Sequence, residues 1–254
     1  MRRERTAAAS VALVALLLPG IGAATAVSIN PSDDAFVYSA NPTWNYGDLA
    51  TLLVGQTFSG DGQLTGERRT FIKFDLGNVI AGGATASSIT ALELQLYLTT
   101  NQGGVINAYR SGDGWENGPA NGGQATPNSP TGITWNNMPS LAGEPLLAVS
   151  PTLSPNGQYY TINLLANVGL IGTDWLAADL VDGYLSVALT VPVGNFISGY
   201  YYFCSKEANP TACGGPVLNV TYTPGQSVPE PGTLALLVLG LAGLGLSRRR
   251  VTAV

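Results

Sequence analysis

Aromatic side chains in loops rich in asparagine and glycine carry the clearest binding chemistry in this sequence. Trp44, Tyr46 and Trp115 lie in or beside such loops. An exposed aromatic ring can stack on the apolar C–H surface of a sugar, while neighbouring polar groups bond its hydroxyls. These rings therefore predict a carbohydrate-binding site. The competing interpretation for Trp115 and Trp135 is that they pack in the core or anchor a loop. The same alternative stays open for Trp44 and Tyr46.

The charge balance between Val27 and Val228 limits which ligands are plausible. The chain has 11 Lys/Arg, of which six lie in the terminal segments, and 16 Asp/Glu, of which two lie there. The segment between Val27 and Val228 therefore has a net charge of (11 − 6) − (16 − 2) = −9. Such a surface repels phosphate backbones, so nucleic acid is not an expected partner. An acidic polysaccharide would require the five cations to converge; Arg110 joins the predicted sugar site because guanidinium groups bind carboxylates bidentately. The five are Arg68, Arg69, Lys73, Arg110 and Lys206.

Catalysis is not expected. The sequence contains no histidine, which removes the commonest general base and excludes Ser-His-Asp triads and His-ligated metals. A glycosidase needs two carboxylates flanking a cleft. Six of the acidic residues lie beside turn residues, where turn chemistry explains them; they are Asp33, Asp34, Asp61, Asp113, Glu116 and Asp182. We therefore predict that the chain is not an enzyme.

Calcium is the metal that the remaining ligands suit best, since it binds carboxylate and carbonyl oxygens. No Asp-x-Asp-x-Asp-Gly loop is present, so a site would have to assemble from separated residues. We predict a structural calcium site at Asp33, Asp34 and Asp182, with solvated surface carboxylates as the alternative. No other cofactor is expected.

The two cysteines, Cys204 and Cys213, are separated by eight residues. In an oxidising compartment such a pair forms a disulfide, and two free thiols are the alternative.

The N-terminus has the three parts of a signal peptide. A basic segment, Met1 to Arg5, precedes an apolar run, Ala7 to Leu18, and Ala24-Thr25-Ala26 forms a small-x-small cleavage site. We predict a helical signal peptide over residues 1–26, with cleavage after Ala26.

The C-terminus combines a short motif, an apolar stretch and a basic cluster. Val228-Pro229-Glu230-Pro231 lies in a linker, 225–231, and precedes a predicted transmembrane helix, 232–247. The tail 248–254 begins with Arg248, Arg249 and Arg250, which would stay cytoplasmic. This arrangement resembles the PEP-CTERM sorting signal, which implies processing by an exosortase, a membrane cysteine protease. An ordinary tail anchor would explain the helix and the arginines but not the Pro-Glu-Pro triplet.

Between the two ends the sequence predicts an all-β fold. Leu92, Leu94, Leu96 and Leu98 alternate with polar residues, as expected of a half-buried strand. About ten such runs in ~200 residues favour a jelly-roll β-sandwich of two antiparallel sheets. One short helix is predicted at Leu165 to Ala177. The strand candidates are Asp34 to Ser39, Thr51 to Gly55, Arg69 to Leu76, Ala91 to Thr99, Val105 to Arg110, Ile133 to Asn136, Tyr159 to Leu164, Tyr184 to Val191, Tyr200 to Lys206 and Val217 to Tyr222.

Residues 27–224 resemble the DNRLRE domain, also classed as family 96 carbohydrate-binding modules. The likeness is carried in the family's order by Asp34-Ala35-Phe36-Val37, Arg69 to Leu76, Ile89 to Leu98, Ile133 to Pro139 and Ser205-Lys206-Glu207-Ala208. The resemblance implies a secreted jelly-roll module of the kind attached to polysaccharide-active enzymes or surface proteins. Here no second domain remains to carry out catalysis.

These observations predict an exported protein with a non-catalytic polysaccharide-binding module. Its expected partners are the general secretion machinery, an exosortase, extracellular polysaccharide and, before processing, the inner membrane. We expect an inner-membrane-anchored precursor and then a location at the cell surface or in the extracellular matrix. The alternative is a structural subunit that assembles with copies of itself into a matrix or filament.

Overall fold

Nine of the ten strands predicted from the sequence are present in a computed structural model, which describes residues 23–100, 103–116, 132–192, 199–225 and 240–241. Within these ranges eleven strands and three short helices follow one another along the chain. They are β1 (Thr25–Ile29), β2 (Pro31–Tyr38), β3 (Thr51–Phe58), β4 (Leu64–Asp75), α1 (Gly77–Ala81), β5 (Ile89–Thr100), β6 (Asn107–Ser111), β7 (Leu146–Val149), β8 (Gln158–Asn163), α2 (Val168–Ile171), α3 (Asp174–Asp182), β9 (Tyr184–Thr190), β10 (Gly199–Cys204) and β11 (Val217–Tyr222).

Hydrogen bonds join these strands into one antiparallel sheet, in the order β1-β11-β5-β10-β3-β4-β9-β6-β7, with β2 paired to β4 and β8 paired to β5. The all-β prediction is confirmed, but the two predicted sheets are one continuous hydrogen-bonded network. The connection is made by β4. Its first part, to Arg68, pairs with β3, and its second part, from Thr70, pairs with β9. Since β2 pairs with the other edge of β4 from Arg68 to Phe74, β3 and β9 succeed each other along the same edge, and the sheet curls there.

The main core lies inside this curl. Strands that are far apart in the sheet order contribute to a single apolar cluster, which includes Leu94 and Leu96 of β5, Leu185 and Val187 of β9, and Phe203 of β10. All five are fully or almost fully buried. Burial of a large apolar side chain contributes about 1.5–3 kcal/mol, so this cluster is the main stabilising element of the domain.

A second, smaller core covers one region of the sheet from the other side. Phe71 of β4 and Ala188 of β9 are paired across the strands and are buried. Trp115 and Ile133 pack on them from the segment that follows β6. The long connection between β6 and β7 is therefore partly a cover for the sheet.

Several elements differ from the sequence-based predictions. The predicted strand Ile133 to Asn136 is a turn, because the Oδ1 atom of Asn137 accepts hydrogen bonds from the backbone N and the Oγ1 of Thr134. The predicted single helix is divided into α2 and α3 at Gly172, whose φ of 73° lies in the left-handed region. The strands β1 and β7 and the helix α1 were not predicted.

Residues Ala23–Gly225 form one compact unit. Both apolar clusters lie inside it, so this unit is expected to fold without the chain termini. Most of the predicted signal peptide and transmembrane helix, and the residues of the sorting motif and basic tail, lie outside the described residues. Among the helices that the structure describes, none has the length and hydropathy needed to cross a membrane.

Candidate functional site

A cross-strand row of side chains places a guanidinium group between two aromatic rings. Successive pairs in this row join β2 to β4, β4 to β3 and β3 to β10, and its members are Tyr38, Arg68, Gly55 and Tyr200. The guanidinium carbon of Arg68 lies 3.7 Å from the ring centroid of Tyr38 and 4.0 Å from that of Tyr200. Since Gly55 lies between Arg68 and Tyr200 in the row and has no side chain, the arginine can reach both rings. Such cation–π contacts contribute about 0.5–2 kcal/mol each.

The predicted residues Trp44 and Tyr46 lie beside this row. Tyr46 stacks on Phe36 of β2, with ring centroids 4.4 Å apart, and Trp44 lies 6.3 Å from Tyr46. Trp44 is 38% exposed. Burial raises the pKa of the Tyr46 hydroxyl, and the hydrogen bond from Asn41 and the charge of Arg68 partly offset this effect. We refer to Tyr38, Trp44, Tyr46, Arg68 and Tyr200 as the aromatic site.

The loop that carries Trp44 and Tyr46 is held by buried polar contacts. Asn45 is 5% exposed, and its Nδ2 donates to the carbonyl of Ile133 over 2.8 Å. The Oδ1 atom of the same side chain accepts from the backbone N of Gly47. On the far side of the loop, Asn41 donates to the Tyr46 hydroxyl. These bonds fix the loop, so the two rings are positioned before any ligand arrives.

The cations of the domain do not converge. Arg69 pairs with Glu67, Lys73 with Asp33, Arg110 with Asp179 and Glu144, and Lys206 with Glu207. Arg68 makes no ion pair with any described residue, and its Nη1 is buried without a hydrogen-bond partner there. The positive charge available to a ligand in this part of the chain is therefore concentrated at Arg68.

Two residues predicted for the sugar site are placed elsewhere. Trp115 is 5% exposed and packs edge-on against Phe71 in the second core. Its backbone carbonyl accepts a hydrogen bond from the Nζ of Lys73. Arg110 is held by the ion pairs to Asp179 and Glu144, which outweigh the effect of burial and raise its pKa. Both residues therefore have structural partners and lie outside the aromatic site.

The acidic residues predicted for calcium are divided between different neighbourhoods. Asp33 contacts Lys73 over 3.2 Å. Asp34 is fully buried and accepts from the backbone N of Lys206. Burial and the nearby Glu207 raise the pKa of Asp34 well above its usual value. Asp182 instead lies with Asp113 and Asp179, and one carboxylate oxygen of each lies within 4.8 Å of the others.

The predicted disulfide is present. Cys204 and Cys213 are bonded, with their Cα atoms 6.3 Å apart. The bond joins the end of β10 to the turn that precedes β11. It thus constrains the segment from which Lys206 contacts the buried Asp34.

Three members of the aromatic site were not predicted for it from the sequence. Arg68 was noted among the cations, and Tyr38 carried no binding prediction. For Tyr200, in its tyrosine-rich strand, packing within the sheet was favoured over an exposed aromatic strip. A possible signal was the single glycine, Gly55, inside an otherwise apolar strand, since an isolated strand glycine often marks a close approach of another group. Strand register decides which residues meet there, and alternation alone does not provide it.

The described residues form an antiparallel all-β domain in which an exposed tryptophan, Trp44, lies beside half-buried tyrosine rings and a guanidinium group, an arrangement suited to binding a ligand. Residues 25–209 match carbohydrate-binding module family 96, and residues 227–250 match the PEP-CTERM protein-sorting motif. The chain therefore belongs to carbohydrate-binding module family 96 and carries a PEP-CTERM sorting motif, as the sequence resemblance indicated. No curated protein matches the chain.

Proposed function

We propose that this chain is an exosortase-processed protein of the cell surface or extracellular matrix, and that it binds polysaccharide at the aromatic site without catalysis. In this proposal the signal peptide directs export through the general secretion machinery. The segment 232–247 holds the precursor in the inner membrane until the exosortase acts at Pro229-Glu230-Pro231. The all-β unit is a jelly-roll module that remains outside the cell.

The position of Trp44 carries the proposal for the site. Its ring is 38% exposed, although tryptophan is usually well buried. It lies beside Tyr46 on a loop fixed by Asn45. Rigid rings at the surface bind the apolar face of a sugar with little loss of side-chain entropy on binding.

The charge distribution favours a neutral or sparsely charged polysaccharide. The domain carries −9, and four of its five cations are paired with carboxylates of the domain itself. A densely charged polyanion would meet long-range repulsion and a single available guanidinium group. Arg68 is suited to bonding sugar hydroxyls or an occasional carboxylate.

The test is a binding assay of the Ala23–Gly225 unit against neutral and uronic-acid polysaccharides. We expect saturable binding to a neutral polysaccharide. The Trp44→Ala variant should weaken it by about tenfold or more, because a stacking contact is worth about 1–2 kcal/mol. Trp44→Phe should restore part of the affinity.

The matched control is Tyr159→Ala. Tyr159 is 49% exposed but lies on β8, outside the aromatic site, so its replacement should leave the affinity unchanged. If the Trp44→Ala variant binds with wild-type affinity, the aromatic site is excluded as the polysaccharide-binding site. Binding confined to uronic-acid polymers, and abolished by salt, would contradict the proposed ligand class.

A further inference from the structure

Three carboxylates meet at the C-terminal end of α3. Asp179 and Asp182 are three residues apart on this helix, and Asp113 reaches them from the segment that follows β6. One oxygen from each carboxylate lies within 4.8 Å of the other two. We refer to Asp113, Asp179 and Asp182 as the acidic cluster. It shares only Asp182 with the calcium site predicted from the sequence.

The buried member of the cluster has an oxygen atom without a hydrogen-bond partner. Asp179 is fully buried, and Arg110 donates to its Oδ1 from Nε over 2.8 Å and from Nη2 over 2.6 Å. Its Oδ2 is buried and has no partner among the described residues. The carboxylate of the half-buried Asp113 lies beside the Ser186 hydroxyl. A buried carboxylate oxygen without a partner is costly, so the Oδ2 atom of Asp179 indicates a missing cation or proton.

The local charge is negative and attracts a cation. The three carboxylates and Glu144 bring −4, and Arg110 provides the one direct ion-pair partner, which leaves about −3 around the cluster. The C-terminal end of a helix adds a partial negative charge from its free carbonyl groups. Lys73 lies near Asp113 but makes its ion pair with Asp33.

We propose that the acidic cluster binds one calcium ion. Calcium accepts six to eight oxygen ligands at about 2.3–2.6 Å, so oxygens on opposite sides of the ion are separated by about 5 Å. The separations of the cluster oxygens, at most 4.8 Å, are compatible with this range. Magnesium requires ligands at about 2.0–2.1 Å in near-ideal octahedral geometry and retains several waters, so three carboxylates suit it less well than calcium.

The ion can enter from solvent, and water can complete its coordination. Asp182 is exposed, Asp113 is half-buried, and a shallow cavity of about 420 Å³ lined by Lys73, Asp113 and residues 114–116 opens beside them. Arg110 acts as a positioning residue, since it holds one oxygen of Asp179 and leaves the other available. The site would link α3 to the end of β6. This proposal does not depend on polysaccharide binding.

Calorimetric titration of CaCl2 into the metal-stripped Ala23–Gly225 unit tests the proposal. We expect one calcium per chain, with a dissociation constant of about 0.1–1 mM, as in extracellular calcium modules, and a rise in the melting temperature. Magnesium should bind at least about tenfold more weakly.

The decisive variants are Asp182→Asn and Asp113→Asn. Since Asp182 is exposed, its variant should fold normally and bind calcium about tenfold or more weakly. Asp174→Asn, in the first turn of the same helix, changes the net charge equally and should bind as the wild type does. Absence of binding at about 10 mM calcium, or unchanged affinity in both cluster variants, would overturn the proposal.

Discussion

At the scale of single residues, Gly55 is the position on which the aromatic site depends most. A methyl group at this position would clash with the carbonyl oxygen of Gly199 and would lie 2.7 Å from the Cδ1 atom of Tyr200, closer than real contacts of this kind. Gly55 is also the member of the row that separates Arg68 from Tyr200. Any side chain here would displace Tyr200 and break the contact between its ring and the guanidinium group of Arg68.

The Gly55→Ala variant should therefore be destabilised by about 1–3 kcal/mol, the usual effect of overpacking. Gly60 is the matched control: it lies in the turn that follows the same strand, and a methyl group there meets nothing within 4 Å. Gly60→Ala should be neutral or stabilising by up to about 1 kcal/mol, because alanine reduces the entropy of the unfolded chain. Urea denaturation measures both changes, and equal effects of the two substitutions would contradict this account of Gly55.

At the scale of secondary structure, the position of β1 indicates where the signal peptide is cleaved. The sequence predicts cleavage after Ala26, yet Thr25 and Ala26 are already paired, with Tyr222 and Thr221 of β11. Cleavage after Ala24 would preserve all five pairs of β1. It also satisfies the small-x-small requirement, since Gly22 and Ala24 are then the third and the first residues before the cleaved bond.

We therefore expect the exported protein to begin at Thr25, as an intact mass of the secreted chain would show. The Ala26→Leu substitution blocks cleavage after residue 26 and should leave processing unchanged. A mass that begins at Val27, or failure of the Ala26→Leu variant to mature, would instead support the site predicted from sequence.

Periodicity predicted the elements better than their connections. The alternating leucines of β5 and the boundaries of β11 were predicted correctly, because each element contains its own signal. The turn at 133–136 was read as a strand, since the side-chain bonds of Asn137 compete with the strand and leave no periodic pattern. The curl of the sheet and the aromatic site depend on pairings such as Arg68 with Gly55, which are non-local. The burial of Trp115 was not predictable for the same reason. It results from packing on Phe71 and Ala188, which are distant in sequence, rather than from the residues next to it in the chain.

At the scale of the whole molecule, the surface argues against assembly of the domain with itself. Its large exposed apolar side chains are distributed over different elements, among them Trp44, Leu64, Val149, Tyr159 and Leu170. A net charge of −9 also makes copies repel one another. The features that favour assembly are strands with one neighbour each, namely β1, β2, β7 and β8, since unpaired edges can recruit other chains.

We expect repulsion and the scattered apolar surface to prevail, so that the Ala23–Gly225 unit remains monomeric from about 1 µM to about 500 µM in physiological salt. Sedimentation velocity measures this directly. A mass that increases with concentration would favour the matrix or filament subunit over the polysaccharide binder. In that case Thr161→Lys, which places a charge on an exposed position of the edge strand β8, should suppress the association, because charged edge residues block strand pairing. A variant that associates as strongly as the wild type would assign the contact to a different surface.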